Sequence, residues 1–139
     1  LTMLVAAFGD IGRYGHVDNQ AFRLLRRILP GPFTIVLKAS SEVPRAMKNR
    51  DHEVGLRLPA HPLCAMLLDL LGEPLLTGSV TPGEAAPELE EPEVLETRYR
   101  SDVSIIIDAG PLWPEPSTVL RLIDGRTEVL REGQGVLPE

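Results

Sequence analysis

The sequence predicts an α/β (α+β) domain built on a mixed, twisted sheet with flanking helices. Segments of strand and helix character alternate through the first half of the chain, and strand segments cluster near the carboxyl end. Because 43% of the 139 residues are hydrophobic, the chain can bury a core of its own. We expect about six or seven strands and three or four helices.

The most informative stretch is residues 30–38, which read PGPFTIVLK and form a sharp turn that leads into a strand. The two prolines fix φ and remove two backbone donors, and the glycine between them tolerates conformations that other residues avoid. The apolar and β-branched residues that follow are typical of a buried strand. A rigid turn would thus fix the first strand residues, Phe33 and Thr34, and the Thr34 hydroxyl becomes a candidate ligand contact. The alternative is a loop that only ends the preceding helix.

The other segments follow in an order that fits this fold class. Asp18 is a candidate N-cap for a helix over residues 19–29. A second helix, over residues 62–71, is apolar nearly all round, so we expect it to be deeply buried. The pair Asp124 and Gly125 predicts a hairpin turn. The remaining predictions are strands at residues 1–7, 33–39, 53–59, 74–80, 102–108, 116–122 and 127–131, a short helix near 92–99, and an exposed loop over 82–93.

The charge of the chain is uneven. The net charge is −6, but residues 1–70 carry nine basic against six acidic side chains, and residues 71–139 carry five against fourteen. The overall charge argues against a nucleic-acid coat, whereas an anionic ligand or RNA would favour the first half. The sequence contains no run of the ~20 apolar residues that a membrane span needs. The single cysteine, Cys64, excludes an internal disulfide and favours the cytoplasm.

Common catalytic and cofactor motifs do not occur in the sequence. It has no GxGxxG, no GxxxxGK[ST] and no CxxC, and His16, His52 and His61 lack metal-ligand spacing. Six residues near strand ends remain as candidates for binding an anion such as phosphate, since arginine offers a charge-assisted fork and hydroxyls offer single bonds. Taken singly, each is better explained by a local role, since hydroxyls near turns usually bond to backbone groups and arginines on a sheet face are usually solvated. These candidates are Thr34, Arg57, Ser79, Ser117, Thr118 and Arg131.

Several short motifs occur in a fixed order along the chain. They are LPGPFTIVL at 29–37, VP at 43–44, VGLRLP at 54–59, the helix after HP at 61–62, GEPLL at 72–76, PSTV at 116–119 and VLREG at 129–133. In order and spacing they resemble the YrdC/YciO family, whose best-known members are threonylcarbamoyl-AMP synthases. The YciO branch is most similar, through AFRL at 21–24 and GEPLLTGS at 72–79.

The resemblance implies a YrdC/RibB-like fold, in which a twisted sheet surrounds a concave cavity. Residues 1–139 would form the C-terminal two-thirds of one YrdC-like domain, and the family's Lys-x-Arg motif would lie upstream of Leu1. Synthase members join L-threonine, bicarbonate and ATP into threonylcarbamoyl-AMP, release pyrophosphate, and so serve tRNA threonylcarbamoyladenosine modification. ATP is therefore the expected substrate, with magnesium as its companion and with no tightly bound cofactor. Members have also been described as binders of double-stranded RNA.

The resemblance also suggests roles for the candidate residues. Thr34 would lie near the threonine substrate, Arg57, Ser117 and Arg131 would contact nucleotide or phosphate, with Thr118 beside them, and Ser79 would lie at the cavity wall. No catalytic residue and no metal ligand is assigned. Synthases carry Ser-x-Asn where this chain has TGSVT at 77–81, without asparagine. The alternative is a non-catalytic paralogue of the YciO type that binds RNA, tRNA or a nucleotide.

Overall fold

The computed structural model of the chain describes residues 1–79, 92–110 and 116–139. The polypeptide divides into two compact units. The first comprises Leu1–Gly78 and Pro116–Glu139, and the second comprises Ser79–Glu115. A six-stranded sheet forms the centre of the first unit.

The sheet is mixed, as the sequence predicts. Its spatial order is β4-β1-β3-β2-β5-β6, where β1–β3 and β2–β5 pair in parallel and the other neighbours pair antiparallel. The strands are β1 (Thr2–Leu4), β2 (Phe33–Lys38), β3 (Glu53–Arg57), β4 (Leu75–Thr77), β5 (Thr118–Ile123) and β6 (Arg126–Arg131). The helices of this unit are α1 (Phe8–Tyr14), α2 (Asn19–Ile28) and α3 (Pro62–Leu71), while α4 (Pro92–Tyr99) belongs to the second unit.

One face of the sheet forms the hydrophobic core with α1 and α2. The central strand β2 places Phe33, Ile35 and Leu37 on this face, and all three are buried in the core cluster. Helix α2 begins as predicted, because the Asp18 carboxylate accepts a hydrogen bond from Ala21 N at 2.7 Å. Its buried side chains belong to the same cluster, so the 3.6-residue periodicity of α2 identifies the face that packs on the sheet.

The opposite face of the sheet is polar in its central strands. Ile35 pairs with Leu56 on the core side, so Thr34, Val36 and Lys38 lie on the other side together with the alternate residues of β3. A buried carboxylate lies here: Glu53 Oε2 accepts from Arg121 Nη2 at 2.8 Å, and the Glu53 side chain is only 7% exposed. The hydrogen bond from Arg121 lowers the pKa of Glu53 below its ordinary value of 4.5, although burial opposes the shift.

Helix α1 and the length of β1 differ from the prediction of a strand over residues 1–7. The strand ends at Leu4 and α1 begins at Phe8, with its first turn capped where Asp10 Oδ2 accepts from Ala7 N at 3.1 Å. Two glycines make this segment a poor helix former by composition. Burial of Ile11 and Tyr14 in the core outweighs that local preference.

Two further predictions about burial and pairing were wrong. Residues 102–108 form no strand among the described residues, because a strand needs a hydrogen-bonded neighbour and this run has none there. Helix α3 has the predicted bounds, but Leu68 is its only buried residue and Leu70 is 85% exposed. The apolar composition of α3 on all sides therefore does not predict its burial in this chain. The predicted loop over 82–93 lies mostly outside the described residues.

None of the helices within the described ranges is long and apolar enough to span a membrane.

The ion pair between Glu53 and Arg121 predicts a pH-dependent stability. We expect Glu53→Gln to lower the free energy of unfolding by about 1–3 kcal/mol at pH 7, because the charge-assisted bonds between the buried carboxylate and the half-buried Arg121 become neutral ones. The folded pKa of Glu53 is depressed, so its contribution is present above pH 4.5 and is lost as pH falls towards the lower folded pKa. Urea titrations of both proteins at pH 7 and in the acid range measure this difference.

The matched control for this prediction is Glu128→Gln. Glu128 also pairs with Arg121, at 3.3 Å, but its side chain is 47% exposed. We expect a much smaller loss for it, since exposed pairs are weak. A gap between Glu53→Gln and the wild type that stays constant down to the acid range would contradict an ionic origin.

Candidate functional site

The candidate site lies where the turn at residues 30–33 enters β2. Gly31 N donates to Leu58 O at 3.0 Å, which ties the turn to the end of β3. On the other side, Thr118 N donates to Pro32 O at 3.1 Å, which ties the turn to β5. A side chain at residue 31 would collide with Ile28 O, so only glycine fits between the turn and the end of α2. These contacts fix where Thr34 projects from the polar face.

Thr34 forms a buried hydroxyl pair with Ser117. Thr34 Oγ1 and Ser117 Oγ are 2.7 Å apart, and both residues are buried. Ser117 lies just before β5, and Phe33 of β2 pairs with Thr118 of β5, so the parallel register brings these hydroxyls together. Two residues that are 83 positions apart in the sequence thus form one polar group.

Arg131 completes this group from β6. Its Nη2 donates to Ser117 O at 2.8 Å and to Ser117 Oγ at 3.2 Å, and its Nε donates to Ser117 O at 3.1 Å. Because Ser117 Oγ accepts from Arg131, it can still donate its own proton to Thr34. That arrangement leaves the Thr34 hydroxyl proton available for a ligand.

Arg57 lies at the end of β3, next to Thr34 on the polar face. Ile35 and Leu56 are register partners, so Thr34 and Arg57 occupy the following pair of positions. Arg57 Nε is buried and has no hydrogen-bond partner among the described residues. Leaving a buried charged donor without an acceptor costs about 1–3 kcal/mol or more. An anionic oxygen bound at this place would satisfy it.

Gly55 is a part of this site that the sequence analysis missed. A Cβ built at Gly55 would lie 3.1 Å from Thr2 Cγ2 and 3.7 Å from Thr34 Cγ2, so a side chain there would crowd the neighbouring strands. The signal in the sequence is alternation. Gly55 occupies the polar-face position between Glu53 and Arg57.

Thr118 projects to the opposite face and makes structural bonds. Its Oγ1 donates to Gly135 O at 2.6 Å and accepts from Gly133 N at 3.1 Å. These bonds hold the segment after β6 against the start of β5. Thr118 therefore shapes the wall behind Phe33, and its own hydroxyl is used internally.

Ser79 belongs to a different unit from the other five candidates. It is the first residue of the second unit, and it is exposed. Its place at a cavity wall stays a prediction. In the described ranges, no group of three or more His, Cys, Asp or Glu side chains is arranged to hold a metal ion.

Comparison with known proteins agrees with the order of motifs along the chain. The model of the Sua5/YciO/YrdC family, described as "Telomere recombination", matches residues 1–133. The chain belongs to this family. It is 38% identical to the uncharacterized protein YciO of Escherichia coli K12 over 136 residues, which are 96% of this chain and 66% of YciO. It is 28% identical to the threonylcarbamoyl-AMP synthase of Bos taurus, of which it covers 50%.

Solved structures of the Sua5/YciO/YrdC family share the fold. The crystal structure of E. coli YciO superposes with a TM-score of 0.90 at 37% identity, over 97% of this chain and 66% of YciO. The structure of P. abyssi Sua5 complexed with L-threonine superposes with a TM-score of 0.79 at 26% identity, over 96% of this chain and 39% of Sua5. The chain thus spans slightly less than two thirds of its YciO relative. The predicted family and fold class are confirmed.

The tight contact behind Phe33 yields a stability prediction. A Cβ at Gly135 would lie 2.6–2.8 Å from three atoms of the Phe33 ring. We expect Gly135→Ala to lower the free energy of unfolding by about 1–3 kcal/mol, because the ring must shift to relieve overpacking. Thermal and urea unfolding measure the loss.

Gly12→Ala is the matched control for Gly135→Ala. Gly12 lies within α1, and no atom lies within 4 Å of the position of its Cβ. We expect this variant to be neutral or more stable by about 0.5–1 kcal/mol, since alanine favours a helix. If both variants unfold like the wild type, Gly135 does not need to be glycine for packing.

Proposed function

We propose that this chain carries a nucleotide- and threonine-binding face of a threonylcarbamoyl-AMP synthase-like domain. The proposed reaction joins L-threonine, bicarbonate and ATP into threonylcarbamoyl-AMP and releases pyrophosphate, in support of tRNA threonylcarbamoyladenosine modification. The observation that carries the proposal is the buried Thr34–Ser117 hydroxyl pair, to which Arg131 donates. Arg57 ends the neighbouring strand β3, and its buried Nε has no partner in the described part of the chain. A cytoplasmic location accompanies this proposal.

The chemistry of these side chains suits a phosphorylated, carboxylate-containing ligand. Guanidinium groups bind phosphate and carboxylate oxygens through charge-assisted bonds, and fixed donors stabilise negative charge that develops at a phosphoryl group. The Thr34 hydroxyl offers one directional bond for a small polar substrate such as threonine. Hydroxyls and guanidinium groups fit phosphate oxygens better than a bare cation, so magnesium would arrive with the nucleotide.

Two relatives support the threonine part and the adenylate part of the proposed ligand. P. abyssi Sua5 has been solved with L-threonine, and the Bos taurus relative is named threonylcarbamoyl-AMP synthase. In this chain we assign Thr34 to the threonine end and Arg57, Ser117 and Arg131 to the phosphate end. Thr118 would act by positioning the wall, and Ser79 is proposed as a further wall residue.

The proposal is tested by ATP binding and by pyrophosphate release in the presence of L-threonine and bicarbonate. We expect Arg57→Ala to weaken ATP binding by at least about tenfold, because the cation that would pair with a phosphate is removed, while thermal stability changes little. The matched control is Arg126→Ala, which removes the same charge from an exposed position on β6. Equal ATP affinity in the wild type and Arg57→Ala would refute the role of Arg57, and wild-type release at background level would refute catalysis.

A second candidate function is nucleotide or RNA binding without catalysis. It is favoured by the higher identity to YciO than to the Bos taurus synthase, and by the absence of asparagine from residues 77–81. The proposed partners are tRNA or double-stranded RNA, which the basic first half of the chain would attract.

Filter binding of tRNA and duplex RNA across a salt series tests this second function. We expect affinity to fall steadily with rising salt, because binding to phosphates releases counterions. A negligible signal at low salt would exclude RNA as a partner. Salt-dependent RNA binding by a protein that releases no pyrophosphate above background would favour this function over the synthase.

A further inference from the structure

A small apolar groove opens between α1 and α2, on the side of the sheet opposite to the candidate site. This α1–α2 groove belongs wholly to the first unit, all of whose residues are described. It has a volume of about 140 Å³, and the buried Ile11 and Leu25 form its floor. Phe8 and Phe22 also line it, and their rings meet edge to face with centroids 5.7 Å apart. Because a cavity of about 150 Å³ can hold a group of the size of benzene, the groove fits one large apolar side chain.

Two glycines of α1 keep the groove accessible. Gly9 and Gly12 are three residues apart, so they lie on one face of the helix, and both line the groove. No atom lies within 4 Å of a Cβ built at either position, so packing inside the protein does not require glycine there. Phe22, which is 49% exposed, also lines the groove. The groove therefore presents an aromatic ring and bare helix backbone to a binding partner.

The charge beside the groove is positive. Helix α2 contains three arginines and no acidic side chain, and Arg23, Arg26 and Arg27 are all exposed. Arg26 lies one helical turn after Phe22, so both project from the same face of α2. The guanidinium carbon of Arg26 lies 5.5 Å from the centroid of the Phe8 ring, which places a cation at the rim of the groove.

The acidic side chains of this region are already used within the first unit. The carboxylates of Asp10 and Asp18 cap the first turns of α1 and α2, where the helix dipoles offset their charge. Glu42 pairs with Arg13 at 3.1 Å. The arginines of α2 therefore determine the charge that a partner meets at the rim, and carboxylates beside an apolar anchor would complement it.

We propose that the α1–α2 groove is a docking site for an acidic peptide segment of a partner protein, which inserts one phenylalanine or leucine side chain. The anchor would contact Phe8 and Phe22, and the carboxylates that flank it would meet Arg23 and Arg26. Aromatic and arginine side chains carry most of the binding energy at many protein interfaces. RNA suits the groove less well, because the polar edges of a base would find no hydrogen-bond partner on its apolar floor.

Fluorescence anisotropy with defined peptides tests this proposal without any measurement of activity. The probe is a labelled peptide with one phenylalanine between glutamates. One comparison peptide has lysines in place of the glutamates, and another has alanine in place of the phenylalanine. We expect the chain to bind the probe at least about tenfold more tightly than either comparison peptide. No binding of the probe, or equal affinity for the three peptides, would overturn the proposal.

Three variants locate the binding site. Gly12→Leu fills the groove from a position with free space, and we expect at least about tenfold weaker binding without loss of thermal stability, since leucine favours a helix. Arg26→Glu should weaken binding by a similar factor. Its matched control is Arg126→Glu, which makes the same change at an exposed position on β6 and should leave affinity unchanged.

Two results with these variants would contradict the proposed location. They are wild-type affinity in Gly12→Leu and equal affinities in the two arginine variants. Two others would assign the surface to a different occupant and would also overturn the proposal. One is a wild-type dimer that Gly12→Leu dissociates in sedimentation, and the other is tRNA binding that Arg26→Glu abolishes in a chain that does not bind the acidic peptide.

Discussion

The candidate site depends on two hydrogen bonds that hold the turn at residues 30–33 between β3 and β5. One joins Gly31 N to the carbonyl that follows β3, and the other joins the carbonyl of Pro32 to the first residue of β5. Prolines restrict the turn from within, and these bonds restrict it from both sides. These restraints fix the position at which β2 begins. That constraint brings Thr34 to Ser117 and to the end of β3.

The two faces of the sheet are stabilised by different forces. The core face gains from apolar burial against α1 and α2, which is the main favourable term in folding. The polar face buries Glu53 and part of Arg121, and desolvation of such groups offsets much of their attraction. A sheet selected for stability alone would place apolar side chains at these positions.

Local signals in the sequence predicted several elements well. The N-cap at Asp18, the hairpin at Asp124 and Gly125, and the bounds of α3 each depend on residues within a few positions of one another. These features need no knowledge of distant partners. Alternation along β3 likewise agrees with Arg57 on the face opposite to its apolar neighbours.

Features that depend on distant residues were not predictable from local patterns. Helix α1 forms because its apolar side chains reach the core, although its glycines disfavour a helix. Thr118 was a candidate ligand contact because it lies near a strand end. Its hydroxyl is used by Gly133 and Gly135, which lie beyond the next strand. The register of β5 against β2 decides that Ser117 and not Thr118 faces the candidate site, and this pairing joins residues that are far apart in the sequence.

The two arginines of the site play different parts. Arg131 uses Nε and Nη2 to hold the Ser117 carbonyl, so one edge of its guanidinium orients the hydroxyl pair. A guanidinium has five N–H donors, so the Nη1 side of Arg131 can still meet a ligand without breaking those bonds. Arg57 has a buried Nε with no internal acceptor among the described residues, and it gains most from an incoming anion. Under the proposed function, Arg131 would orient the hydroxyl pair before binding, and Arg57 would supply the charge that favours an anionic ligand.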